Sequence, residues 1–256
     1  MFLGFSGPSD IAVAASPMVA PGPRPEYTSD LNHESQMTDD TILPTAGRVA
    51  RRQARNRAAL VDAARRIMSQ KGIDAATMAD IAELADVGAG TVYNYFKSKE
   101  DLAVAVLEDL MLDLAHQIEQ VTNTFDDPGQ VYAFGVRTVM DTATGDLRWR
   151  QLLNRSEVMA NAMFRQMGPF AIRDLETATR AGRFKVDDAV LTWKMATHAM
   201  VGVALSVTNG DLAASVIDEC VVRLLCMTGI GRADAVDLAH RDRPALSGET
   251  AAVRQD

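Results

Sequence analysis

A chain of 256 residues, 47% hydrophobic but only 5% aromatic, has room for one small and one larger domain and suits an all-helical protein. Its net charge of −8 is unevenly placed: Gly47 to Asp101 carries ten basic and seven acidic side chains, a net of +3, so the remainder carries −11. No apolar run approaches the roughly 18–20 residues that span a bilayer, and the start lacks the basic region of a signal peptide, so no membrane partner is expected and the cytoplasm is the expected compartment.

Met1 to about Ala46 is rich in Pro, Gly, Ser and Ala without a helical period. Pro17, Pro21, Pro23 and Pro25 deny it a regular helix, and residues 1–46 read as a disordered extension. Met1 and Met37 both suit as the biological start. Arg48 to Lys71 then reads as a helix, with Leu60, Ala64, Ile67 and Met68 on one apolar stripe and Gly72 as the C-cap. Arg48, Arg51, Arg52 and Arg55 precede the packed stripe, where basic side chains can meet phosphates or enter a minor groove.

The stretch from Thr77 to Leu102 carries the strongest signal. Thr77 is a good N-cap, and Asp80 three residues on makes a capping-box pair. Ala79, Ile81, Ala82, Leu84 and Ala85 give a small apolar helix. Asp86-Val87-Gly88 reads as a tight turn, with Val87 as an apolar peg and Gly88 free to take the special dihedrals. Ala89 to Phe96 reads as a second helix with Val92 and Phe96 inward at i and i+4. Two short helices joined this way form a helix-turn-helix, whose second helix enters the DNA major groove. Ser98 and Asp101 cap a long helix reaching about Phe125. Leu102, Val106, Leu110 and Leu114 line it, joined by Leu107 and Ile118. Asp109, Asp113 and His116 share one face of it, which reads as a solvated face rather than a metal site.

From Arg52 to Leu102 the residues are similar to the DNA-binding domain of the TetR family. The resemblance rests on Leu60, Ala63-Ala64, Gly72, Thr77, Ile81-Ala82, Val87 and the run Gly90-Thr91-Val92-Tyr93-Asn94-Tyr95-Phe96-Lys97-Ser98-Lys99-Glu100-Asp101-Leu102. It implies that Thr91, Tyr93 and Lys99 hold phosphates, while Ala89, Gly90, Asn94 and Tyr95 lie near base edges. Thr77 joins the DNA-contacting set. Asn94 can pair with adenine, and Ala89 or the Thr91 methyl can meet a thymine methyl. Two residues depart from the pattern: Gly88 replaces the usual Ser or Thr cap, and Asp86 replaces the usual Gly. With Ala89-Gly90 at the tip, phosphate contacts and DNA shape are expected to carry much of the specificity.

Beyond the long helix, breakers divide the body into helices at about Pro128–Thr144, Leu147–Met167, Phe170–Gly182, Asp187–Thr208 and Leu212–Met227. No part reads as strand. Residues 47–102 are thus a helix-turn-helix head, 103–230 a helical ligand-binding and dimerisation body, and 231–256 a flexible polar tail. Cys220 and Cys226, six apart, lie on different faces of a helix and read as reduced core residues. The last two body helices are unusually apolar, and in the TetR family such a pair packs against its twin as a four-helix homodimer interface.

The resemblance also implies a small-molecule effector pocket. Phe134, Met140, Trp149, Leu153, Met159, Met163, Phe164, Met167, Trp193 and His198 are its candidate walls, each also an ordinary core type, with His198 and Arg155, Glu157 or Asn161 as polar handles. The expected function is a repressor that binds a palindromic double-stranded DNA operator as a homodimer. An apolar or amphipathic ligand is expected to release it by shifting the long helix. Neither a cofactor nor a metal is called for. No Gly-rich phosphate loop, metal-spaced His/Cys set or Gly-x-Ser-x-Gly elbow supports an enzyme, and no catalytic residue is assigned. A DNA-coating protein without a ligand is the remaining alternative.

Overall fold

The computed structural model describes residues 43–146 and 156–246, all of them helix, turn or loop, with no strand among them. The expected disordered extension lies almost wholly outside these residues, as do Trp149, Leu153 and Arg155. The helices are α1 Leu43–Ala75, α2 Met78–Leu84, α3 Ala89–Tyr95, α4 Lys99–Thr122, α5 Pro128–Gly145, α6 Ser156–Arg180, α7 Ala189–Thr208, α8 Val216–Cys226 and α9 Arg232–His240.

In the head, α1 starts earlier than its packed stripe. It is regular up to Gly72, whose φ of 82° breaks the helical geometry before a last turn to Ala75. Leu60, Ala64 and Met68 are fully buried there. On α2 the inward residues are Met78, Ile81 and Ala82, whereas Leu84 and Ala79, expected to be packed, are exposed. Val92 and Phe96 are buried as expected. The long helix α4 carries Leu102, Val106, Leu107, Leu110, Leu114 and Ile118 inward, and Ser98 caps it by accepting from the Asp101 amide. From Thr45 onward the described residues form one compact unit. The head boundary expected at residue 102 therefore falls inside α4, at ~1.5 Å per residue a rod of roughly 36 Å.

The body is built around α5, which packs against α4, α6, α7, α8 and α9. Two expectations are corrected here. First, α6 does not break at Gly168-Pro169 but runs through it. A proline in a helix removes one backbone bond, and packing of Met163, Met167 and Leu175 outweighs that loss. Second, residues 231–256 are not all a loose tail. Arg232–His240 is a helix with Ala235, Leu238 and Ala239 buried. Arg241 bonds to Asp127 at 2.8 Å and to Gln130 at 3.2 Å, and Arg243 pairs with Asp141. A polar stretch with one small apolar stripe is enough for a helix once α5 and α8 offer a surface. The apolar side chains Ile217, Cys220, Val221, Leu224 and Leu225 of α8 are buried within the chain, while Val216, Cys226 and Met227 keep exposed surface. Burial also pushes the Cys220 thiol pKa up, so it stays protonated and inert.

Gly229 fastens this end of the molecule. Its φ is 82°, and a Cβ there would lie 2.8 Å from the Lys185 Cβ, while the Lys185 amide bonds the Thr228 carbonyl at 2.8 Å. The expectation that no apolar run is long enough to span a bilayer is corrected by α7, which among the described residues is the one helix that qualifies by length and composition. Its inner face, with Trp193, Ala196, Thr197, Met200, Val201 and Ala204, is packed into the body. Leu191 and Met195 on its outer face are more than half exposed.

Candidate nucleic-acid interface and effector cavity

The head presents α3 on a frame that its sequence builds locally. Thr77 caps α2 reciprocally: its Oγ1 accepts from the Asp80 amide at 3.1 Å, and its own amide donates to Asp80 Oδ2 at 3.1 Å. The Thr77 hydroxyl proton also goes to Asp80, at 2.6 Å. Lys71 Nζ donates to the same carboxylate, tying the end of α1 to the start of α2. The Lys71 bond, then the Thr77 bonds, hold the Asp80 pKa down at about 2. The Thr77 side chain expected on DNA is thus already engaged inside the head.

In the turn, Asp86 rather than Gly88 takes the left-handed conformation, with φ 53°. Gly88 is extended, at φ −65°, and caps α3 without a side-chain bond. The turn reverses as expected, but the left-handed position is two residues earlier. Asp is among the few residues that occupy it at modest cost.

On α3, Ala89, Gly90, Tyr93 and Asn94 are exposed, Tyr93 by 55%, and Thr91 is half-buried. Tyr95, expected near base edges, is half-buried and packs against the core. Lys99 donates to the Asp74 carbonyl at 2.7 Å, which leaves two of its three donors for other partners. Arg48, Arg51, Arg52 and Arg55 are exposed along the first turns of α1, on one face at i, i+3, i+4 and i+7. They belong to a helix instead of an irregular arm. Arg57 lies over the Phe96 ring at 5.2 Å and packs the head.

The body holds a cavity of about 30 Å³. Ala115 and Ile118 of α4 line it, with Tyr132, Gly135, Val136 and Val139 of α5, Met167, Phe170, Ala171 and Asp174 of α6, and Trp193 of α7. Two of its polar atoms are buried without a hydrogen-bond partner among the described residues: Tyr132 Oη and Trp193 Nε1. Left without any partner each would cost roughly 1–3 kcal/mol, so whatever fills the cavity must meet them. Burial, and secondly the Asp174 charge, push the Tyr132 phenol pKa up. Burial likewise raises that of Asp174, against the pull of Arg173, which donates to its Oδ1 at 3.0 and 3.1 Å.

Of the ten residues expected to wall a pocket, Met167 and Trp193 line this cavity. Met140, Met159 and Met163 are buried and do not line this cavity. Phe134 stacks edge-on against Phe125 and borders a smaller hollow under α9. Phe164 lies half-buried beneath Lys194, whose Nζ is 4.8 Å from the ring and also bonds Asn161. His198, expected as the polar handle, is exposed, with Nδ1 2.9 Å from the Lys194 carbonyl. Helical periodicity points α7's Trp193 inward and His198 outward, and counting from Trp193 would have separated them. Tyr132 and Asp174 were missed because a tyrosine and an aspartate on amphipathic helices look like surface residues. Only the packing of four helices shows that they converge. Asp109 and Asp113, whose face also carries His116, are bound by Arg65 at 3.3 and 2.6 Å.

A compact head with a solvent-facing α3, set on a helical body, is the architecture of a helix-turn-helix DNA-binding regulator. Residues 60–106 match the model of bacterial regulatory proteins of the tetR family, and residues 127–241 match the tetracyclin repressor-like C-terminal domain. The chain belongs to the TetR family and is a DNA-binding transcriptional regulator. The second match ends beyond α9, which places that helix within the body.

The fold is similar to that of RolR, both with resorcinol bound (29% identity, TM-score 0.70, covering 77% of this chain and 100% of that one) and without ligand (30%, 0.67, 74% and 100%). Among curated relatives, the repressor KstR2 of Mycolicibacterium smegmatis is 33% identical over 75 residues, 29% of this chain and 37% of that protein. BetI of Rhizobium meliloti is 44% identical over 55 residues, 22% and 27%. The chain therefore spans about a third of the length of the curated relatives it matches.

Proposed function

We propose that this chain is a repressor whose homodimer binds a two-fold DNA site and lets go when a small molecule enters the body cavity. The observation that carries the reading is the position of α4. This helix starts at the head, and midway along it Arg65 of α1 bonds Asp109 and Asp113. Farther along, Ala115 and Ile118 wall the cavity. Arg165–Glu108 and Arg173–Glu119 tie the same helix to α6. A molecule that moves this wall moves the helix that carries the head.

Dimerisation is proposed through the outer face of α7, where Leu191, Met195, His198 and Gly202 leave an apolar stripe open to a twin. That narrows the expected two-helix interface, since most apolar side chains of α8 are used within the chain. In such a dimer two α3 helices about 34 Å apart meet successive major grooves. Thr91, Tyr93 and Lys99 grip phosphates, the α1 arginine stripe adds backbone contacts, and Asn94 reads a base. RolR binds resorcinol, which supports a small neutral ring as the kind of effector this cavity takes.

The experiment is footprinting of the dimer on DNA upstream of its own gene. One protected palindrome is expected; broad coverage at all sequences would overturn the repressor reading. In the same assay Tyr93→Ala weakens binding to every sequence. Asn94→Ala relaxes preference at a single base pair by roughly 1–3 kcal/mol.

A further inference from the structure

The body cavity has a chemical signature that assigns its guest. Three polar groups on three different helices meet in it, and the rest of its wall is apolar. Tyr132 Oη on α5 and Trp193 Nε1 on α7 are 97–98% buried by residue and have no partner among the described residues. On the third helix, α6, the Asp174 carboxylate has its Oδ1 taken by Arg173, and no hydrogen bond is seen to its other oxygen among the described residues. An indole N–H only donates, a carboxylate only accepts, and a phenol does both. Between them, Ile118, Val136, Met167 and the Phe170 ring offer surface to a flat hydrocarbon face.

Resting on the effector reading above, we propose that the cavity takes a small, uncharged hydroxylated aromatic ring, held through its hydroxyls by Tyr132, Asp174 and Trp193. A ring hydroxyl accepts from Trp193 Nε1 and donates to the Asp174 carboxylate. Tyr132 supplies either partner to the same or a second hydroxyl. Asp174 also sets a charge filter: a benzoate-type anion would meet a half-buried like charge whose Arg173 partner is already engaged, so carboxylated rings are rejected although they match in size. A bare hydrocarbon ring is rejected for the opposite reason, since it leaves the two orphaned atoms without partners. The cavity has room for about two water molecules, less than one ring requires. Entry must therefore displace a wall, and the α4 wall is the one that leads to the head.

The test uses the full-length protein and three probes: resorcinol, benzoate and toluene. Since the chain has two tryptophans, emission is read in the unaltered protein and in Trp193→Phe, and the difference between them reports Trp193. Resorcinol is expected to change Trp193 emission and to bind by calorimetry. Benzoate and toluene are expected to bind at least roughly a hundredfold more weakly. Tyr132→Phe, which keeps the ring packed against Phe184, is expected to raise the resorcinol Kd about tenfold. Asp174→Asn should admit benzoate; if that variant fails to fold, Trp193→Phe with calorimetric readout replaces it and should also lose about tenfold. Equal binding of benzoate or toluene, or an unchanged Kd in Tyr132→Phe, overturns the assignment. DNA release is read separately on the footprinted site. If resorcinol binds with this pattern yet leaves DNA bound, the site stands and the effector reading falls. If another compound releases DNA while resorcinol does not bind, the effector reading stands and this site falls.

Discussion

Asp86 combines two roles that most residues cannot fill together: it holds a left-handed turn and it carries charge beside the helix proposed to approach DNA. Asn tolerates the same backbone region without the charge. Asp86→Asn should leave thermal stability within about 0.5 kcal/mol. It should also tighten binding to DNA by about fivefold at low salt, since removing one like-charge contact near 4 Å in water is worth about 1 kcal/mol. Titration of both proteins against one labelled operator, at two salt concentrations, checks it; an advantage that persists at high salt would point elsewhere.

Asp80 gives a second prediction at this scale. Its folded pKa of about 2 lies below the ordinary 3.8, chiefly because Lys71 bonds its carboxylate. Its share of head stability is therefore complete above pH 3.8 and is lost as pH falls toward 2. A carbon-13 titration of the Asp80 carboxyl should show a midpoint near 2, rising toward 3.8 in Lys71→Ala.

At the scale of elements, the segment after Gly231 shows how far composition can mislead. Arg232, Asp234, Asp237, His240 and Arg241 make it polar, yet Ala235, Leu238 and Ala239 form a stripe that α5 and α8 bury. Leu238 is 4% exposed. Leu238→Ala should lower the unfolding free energy by roughly 2–4 kcal/mol by denaturant titration, where a loose tail would show no change. The continuity of α6 through Pro169 is the same lesson from the other side. A breaker ends a helix only if nothing else holds its two halves in line, and here buried side chains on both sides of Pro169 do so.

For the whole molecule, the proposed coupling runs from the cavity along α4 to α1. Arg65 is partly exposed, and its ion pairs with Asp109 and Asp113 are partly solvent-screened. Arg65→Ala should cost under about 1 kcal/mol in stability. It should shrink the effect of a bound effector on DNA affinity by severalfold, because the bond that makes head and α4 move together is gone. DNA titrations with and without saturating resorcinol measure that ratio directly. An unchanged ratio would place the coupling in the buried contacts of Leu102 and Val106 instead.

The features legible along the chain are local. The capping box at Thr77 and Asp80, the inward pair Val92 and Phe96, the Ser98 cap and the four-residue steps of Leu102, Val106, Leu110 and Leu114 are all readable because cap and period act within a turn or two of helix. Family membership followed from the same short range. Convergence came from packing alone. Tyr132, Asp174 and Trp193 are 42 and 19 residues apart along the chain, on three helices. Which polar atoms meet in one cavity, which apolar side chains are buried within the chain and which outer face stays open depend on how helices pack. A periodic pattern says that a residue points inward; it does not say what it meets there.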